Sequence, residues 1–80
     1  MTHKQILSPL PGTFYRRPAP DKPPYKEPGA QVATGDVVGL VEVMKSFYEV
    51  KSDVDGKVVR FLVENEDAVQ AGQPLVEIEV

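Results

Sequence analysis

The chain repeats itself, and the repeat limits what it can fold into. Val32-Ala33-Thr34-Gly35-Asp36-Val37-Val38 is matched by Val69-Gln70-Ala71-Gly72-Gln73-Pro74-Leu75, and Val41-Glu42-Val43 by Ile78-Glu79-Val80, all at an offset of 37 residues. Upstream, Ser8-Pro9-Leu10-Pro11-Gly12-Thr13-Phe14-Tyr15-Arg16 is matched by Ser52-Asp53-Val54-Asp55-Gly56-Lys57-Val58-Val59-Arg60 at an offset of 44. Each half puts glycine at two comparable turns, where its freedom of φ is useful. Eighty residues make one small domain at most, so the two halves must share a core. The simplest solution is two similar layers related by a pseudo-twofold axis.

The layers read as β-sheet. Val, Ile, Leu, Phe and Tyr dominate the runs 5–7, 12–16, 37–43, 47–51, 57–63 and 75–80. In Val76-Glu77-Ile78-Glu79-Val80 the apolar residues fall on one face and the glutamates on the other. Asp55-Gly56 and Gly35-Asp36 are turn signals, and Gly72-Gln73-Pro74 ends a short loop. No segment has a helical period long enough to stand alone. Many short strands with closely spaced turns predict an all-β flattened barrel of two antiparallel sheets.

The two offsets differ by seven, so the first half carries seven extra residues between Arg16 and Glu27. They fall in Arg17-Pro18-Ala19-Pro20-Asp21-Lys22-Pro23-Pro24-Tyr25-Lys26. Four prolines in ten residues exclude an interior strand or helix, because proline lacks the N–H donor and fixes φ. With strand signals on both sides, residues 17–26 are expected to form a stiff loop protruding from one domain spanning residues 1–80, with residues 1–4 loose.

Composition removes most chemistry. There is no cysteine, hence no disulfide, thiolate metal site or thiol nucleophile. The single histidine, His3, lies near the N-terminus, which disfavours a Ser-His-Asp arrangement or a His-based zinc site. No apolar run approaches the roughly 20 residues of a membrane span, and the N-terminus lacks a secretory pattern. A cytoplasmic protein without membrane contact is expected. Residues 1–40 carry five basic and three acidic groups, whereas residues 41–80 carry four basic and nine acidic groups. The acidic half argues against a nucleic-acid backbone as partner and suits either solvent or a basic protein.

One residue remains as a chemical handle. Lys45 lies in Val43-Met44-Lys45-Ser46, between the strand runs 37–43 and 47–51. This reads as a tight hairpin with Lys45 at its tip, in water. A lone exposed lysine is usually a solubility residue. An attachment lysine for a swinging arm, however, needs this geometry: accessible, on a rigid base, away from the core. In the second half the corresponding turn would fall just past Val80, which leaves a single such site. Of the neighbours, Met44 reads equally well as a partly buried gap-filler. Phe47 and Tyr48 point to opposite faces, one toward the core. Glu42 and Glu49 are expected to face each other across the hairpin, solvated, and Arg16 and Arg17 to pack at the root of the loop.

Glu42-Val43-Met44-Lys45-Ser46 resembles the Glu-Ala-Met-Lys-Met motif of biotinyl domains, with Gly35-Asp36 ten residues before the lysine and Asp55-Gly56 about ten after. Ser8-Pro9-Leu10-Pro11-Gly12-Thr13-Phe14-Tyr15-Arg16 resembles the Ser-Pro-Met-Val-Gly-Thr-Phe-Tyr-Arg of the biotin carboxyl carrier family of bacterial acetyl-CoA carboxylases. Pro18-Ala19-Pro20-Asp21 resembles the Pro-Ser-Pro-Asp that begins that family's thumb loop. Related lipoyl domains usually read Asp-Lys-Ala or Asp-Lys-Ser, so Met44 favours biotin while Ser46 is shared with the lipoyl side. The chain departs from the biotinyl motif at Val43 and Ser46.

The resemblance implies the biotinyl/lipoyl hammerhead barrel, with residues 17–26 as a thumb-like loop. It implies biotin as covalent cofactor on Lys45, with Met44 and Ser46 flanking for recognition, and no catalytic or metal-binding residues. It implies a non-catalytic carrier modified by a biotin protein ligase. Such a carrier takes a carboxyl group from a biotin carboxylase to a carboxyltransferase, in an acetyl-CoA carboxylase-type complex. The rival readings are a lipoyl carrier of a 2-oxoacid dehydrogenase or glycine-cleavage system, and an unmodified interaction module.

Overall fold

The computed structural model describes residues 2–80. Eight strands make up the regular structure: β1 His3–Leu7, β2 Gly12–Tyr15, β3 Gln31–Val32, β4 Val37–Val43, β5 Ser46–Lys51, β6 Gly56–Phe61, β7 Ala68–Val69 and β8 Pro74–Glu79. They form two antiparallel four-stranded sheets, ordered β1-β8-β6-β3 and β5-β4-β2-β7. The described residues contain no helix.

The repeat read from the sequence is the symmetry of this barrel. Adding 44 or 37 to a strand of the first half gives a strand of the second half in the opposite sheet: β2 maps on β6, β3 on β7, β4 on β8, and β1 on β5. Each sheet therefore takes two strands from each half, and the halves are interleaved instead of forming the two separate layers expected from the repeat. The details follow it. Ser8 Oγ donates to Leu10 O at 2.6 Å, and Ser52 Oγ donates to Val54 O at 2.6 Å. Glu42 pairs with Phe47, and Glu79 with His3. Gly12 and Gly56 also share one role, which is close approach. A Cβ on Gly12 would lie 2.3 Å from the Glu42 carbonyl oxygen, and one on Gly56 2.3 Å from that of Glu79. Gly56 therefore opens a strand instead of making the turn expected from Asp55-Gly56; Asp55 accepts hydrogen bonds from the Thr34 backbone and hydroxyl.

Between the sheets lies a single apolar core: Ile6, Phe14, Val32, Val38, Val41, Val50, Val58, Val69, Leu75, Val76 and Ile78. Core residues follow the period-two pleat over stretches such as Val76 and Ile78, and the pattern is broken at Leu75–Val76 of β8 and by the register shift at Val37/Gly39 of β4. Two strands, β3 and β7, have no signal of their own in the sequence. Each is two residues long and pairs on one side only, with β6 and β2 respectively. Only the repeat marks them, since Val32 and Val69 are equivalent buried positions.

Of residues 1–4, expected to be loose, His3 and Lys4 belong to β1. His3 and Lys4 pair with Glu79 and Ile78, Val80 N donates to Thr2 O, and His3 contacts Glu77 and Glu79. Strand pairing with β8 wins over terminal fraying; Met1 lies outside the described residues. The extra residues of the first half sit in the connection from β2 to β3, residues 16–30, against residues 62–67 in the other half. This loop is closed on itself. Lys22 N donates to Ala19 O and Tyr25 N to Arg16 O. Its root is Arg16, whose guanidinium lies 4.1 Å above the centre of the Phe61 ring, a cation–π contact.

Candidate functional site

β4 and β5 are joined by two residues, with Val43 and Ser46 as the closing pair. Met44 has φ 50° and Lys45 φ 69°. Positive φ at both central residues is the type I′ geometry, whose twist matches that of the paired strands. Neither residue is glycine or asparagine, so each pays a steric cost on the order of 1 kcal/mol for the left-handed conformation. Such strain survives only where the surroundings impose it, and it concentrates at functional sites.

The tip is fully presented to solvent. Met44 is 94% exposed, so it is not the gap-filler that one reading of the sequence allowed. Lys45 is exposed and makes no ion pair among the described residues. Phe47 and Tyr48 are 58% and 46% exposed, so neither is a core residue. The reason is tertiary. β5 is an edge strand that reaches beyond the core at this end, and the first buried residue along it is Val50.

Glu42 and Glu49 do not face each other. Glu42 lies opposite Phe47, and Glu49 opposite Leu40. Glu42 Oε1 accepts a 2.8 Å hydrogen bond from the Tyr15 hydroxyl. This bond, followed by burial and the charge of Glu42, holds the Tyr15 pKa above its ordinary value. Glu49 contacts Lys51 at 3.7 Å on the exposed surface. Neither carboxylate sits in an enclosed pocket of the kind acid–base catalysis uses.

Beside the hairpin is a groove of about 570 Å³, lined by Tyr15 and Phe47, by Arg17, Pro18, Ala19 and Pro20 of the insert, and by Asn65 and Glu66 from the opposite connection. The insert thus forms one wall of a groove that opens next to Phe47, two residues from Lys45. Arg17 belongs to this wall, whereas Arg16 packs at the root. Glu66 is the third residue with positive φ that is not glycine, at 72°. Its equivalent at an offset of 37 is Gly29, at 93°. Among the described residues, positive φ outside glycine is therefore confined to the hairpin and the groove beside it.

Leu40 is 8% exposed yet lies outside the core cluster, on the face that carries Tyr15 and Glu49. The Tyr25 pKa is raised, first by burial and then by the charge of Glu49. Met44, Lys45 and Ser46, singled out from the sequence, lie on the β4–β5 turn and its closing pair. Tyr15, Asn65 and Glu66, which line the groove beside it, were not singled out as site residues. The one available signal was the loss of glycine at position 66, where the repeat has Gly29.

Chemically, the site offers one primary amine on a rigid, accessible turn. Among the described residues no group of three or more His, Asp or Glu could hold a metal ion, and no helix is long and apolar enough to cross a membrane.

Residues 4–78 match the family described as biotin-requiring enzyme. The chain is 40% identical over 74 residues to a biotin carboxyl carrier protein of acetyl-CoA carboxylase from Nostoc sp., covering 92% of this chain and 41% of that protein. It is 47% identical over 73 residues to the protein of the same name from Chlamydia pneumoniae, covering 91% of this chain and 44% of the relative. The chain thus spans less than half the length of these relatives. Among solved structures, the Kluyveromyces lactis urea carboxylase matches with a TM-score of 0.80 and 29% identity, over 99% of this chain and 6% of that one. A single-chain, multi-domain long-chain acyl-CoA carboxylase matches at 0.77 with 23% identity, over 94% of this chain and 7% of its own, which supports the fold alone.

Proposed function

The chain belongs to the biotin-requiring enzyme family, and from that premise we propose that it is the biotin-bearing domain of a biotin carboxyl carrier protein, with biotin joined by an amide bond to Nζ of Lys45. The observation that carries this reading is the Lys45 turn: an unpaired amine at the exposed tip of a two-residue hairpin held in strained geometry. Bound there, biotin supplies a ureido nitrogen that can carry a carboxyl group. The protein's own residues present the arm and do no chemistry themselves. Tethering raises the effective concentration of the arm at each partner site. Partners of this reading are a biotin protein ligase, a biotin carboxylase and a carboxyltransferase of an acetyl-CoA carboxylase-type complex of several subunits, in the cytoplasm. Met44 and Ser46 flank the amine as the surface the ligase reads. The groove between the insert and Phe47 gives the arm a place to rest beside its anchor.

The test is intact mass and avidin capture after production with a biotin protein ligase. The protein should gain one biotin amide. Lys45→Arg should abolish capture while costing no more than about 0.5 kcal/mol of stability, as exposed substitutions do. Avidin capture of the arginine variant would remove Lys45 as the site. A mass gain matching a lipoyl amide would replace biotin by lipoate.

A further inference from the structure

The internal symmetry supplies a control for the hairpin. Glu42 and Phe47 are a cross-strand pair, one on each leg of the turn that carries Lys45. Tyr15, on the neighbouring strand β2, touches both legs. Its hydroxyl donates to Glu42 Oε1 at 2.8 Å, and its ring centre lies 6.1 Å from that of Phe47, tilted by 53°. That distance and tilt are within the range of favourable aromatic pairs. In the other half the equivalent positions are Glu79, His3 and Val59. Glu79 and His3 again pair, but Val59 has neither a hydroxyl to reach Glu79 nor a ring to lie on His3. The bridging tyrosine is thus present at the β4–β5 pair and replaced by valine at the equivalent β1–β8 pair.

We propose that Tyr15 is a positioning residue for Lys45: it clamps both legs of the β4–β5 hairpin to β2 and so holds the Met44-Lys45 turn in the one geometry in which the amine is presented. The argument is mechanical. β5 is an edge strand and has no neighbour beyond β4. At its hairpin end the residues are exposed, so core packing does not restrain it before Val50. Two side-chain contacts from Tyr15 replace that missing restraint. Glu66, also near Tyr15, makes no contact with the legs of the hairpin of this kind. When the turn populates other geometries, the apparent affinity for an enzyme that needs the presented one falls by the fraction lost.

The role of Lys45 in this inference rests on the function proposed above, and the test separates the two. It uses the unmodified protein, so that no arm occupies the groove Tyr15 also lines. Amide hydrogen exchange is measured residue by residue for wild type, Tyr15→Phe, Tyr15→Leu and Glu42→Gln, alongside the kinetics of modification by a biotin protein ligase. Tyr15→Phe, which loses the hydrogen bond, should speed exchange at Ser46 and Tyr48, whose amides face β4, by roughly three- to tenfold, with core amides in the other sheet such as Val58 and Ile78 unchanged. Tyr15→Leu, which also loses the ring contact, should speed it further. Glu42→Gln keeps an acceptor for the hydroxyl and should stay within about twofold of wild type. The ligase KM should rise in the same order, with kcat unchanged. Equal hairpin exchange in wild type and both tyrosine variants would overturn the proposal. So would acceleration spread equally over hairpin and core, which would make Tyr15 merely a stabilising residue. If the wild type is not modified at all, the assignment of Lys45 fails, while the exchange data still decide whether Tyr15 clamps the turn.

Discussion

Replacing Met44-Lys45 by Asn-Gly should make the protein more stable while abolishing its acceptor. Both residues occupy left-handed backbone, at φ 50° and 69°, and relief is worth about 1 kcal/mol at each. Asn-Gly is the sequence this turn geometry favours. No packing is lost in exchange, since Met44 is 94% exposed and Lys45 is likewise on the surface. Glycine at position 45 gives back about 0.4–1 kcal/mol through the larger freedom of the unfolded chain. The net gain is therefore about 1–1.5 kcal/mol. For a domain of this size each kcal/mol moves Tm by about 4–8 °C, so the midpoint should rise by about 4–12 °C. The assay is thermal unfolding followed by circular dichroism, with both proteins unmodified and in one buffer, together with avidin capture after exposure to the ligase. Capture should be lost. An unchanged or lower Tm would refute the reasoning, since it would mean that the turn is not strained as its dihedral angles imply.

Other outcomes follow from particular contacts. Gly12→Ala and Gly56→Ala each drive a Cβ to 2.3 Å from a backbone carbonyl oxygen and should cost about 1–3 kcal/mol in urea unfolding, the range of overpacking; the two losses should be similar if the halves are equivalent. Ser46→Met should speed modification by a ligase from an ordinary biotin-carrier system, and equal initial rates would mean that position 46 is not read. Replacing Pro18 to Pro24 by a short glycine turn should leave Tm nearly unchanged, preserve attachment of biotin and slow carboxyl transfer through the partner enzymes. In a spectroscopic titration Tyr15 should ionise above the ordinary value of 10.0, and Glu42→Gln should bring it closer to that value. With the folded pKa raised, the stabilisation from the Tyr15–Glu42 bond is complete below the ordinary value and is lost as the pH climbs through the raised one.

The amino-acid order by itself determined the architecture, and the reasons are local. Strand alternation marks which residues can lie on one face. Gly35 and Gly72, with φ 94° and 82°, mark turns that only local backbone freedom decides. The repeat showed that two equivalent halves share one core, but not that each sheet would take two strands from each half. It also located the extra residues of the first half, between β2 and β3. What the sequence could not show depends on residues distant in the chain. Gly56 looked like a turn residue until the Glu79 carbonyl was found against it. Phe47 and Tyr48 alternate like a core residue and a surface residue, but β5 is an edge strand that outruns the core, so both are exposed. β3 and β7 are too short to have a pattern, and are strands only because β6 and β2 offer them partners. The groove gathers Tyr15, Pro18, Phe47 and Glu66 from four separate segments, and Tyr15 meets Glu42 across 27 residues of chain. Contacts of that range follow from sheet order and register, which tertiary packing sets and no local pattern encodes.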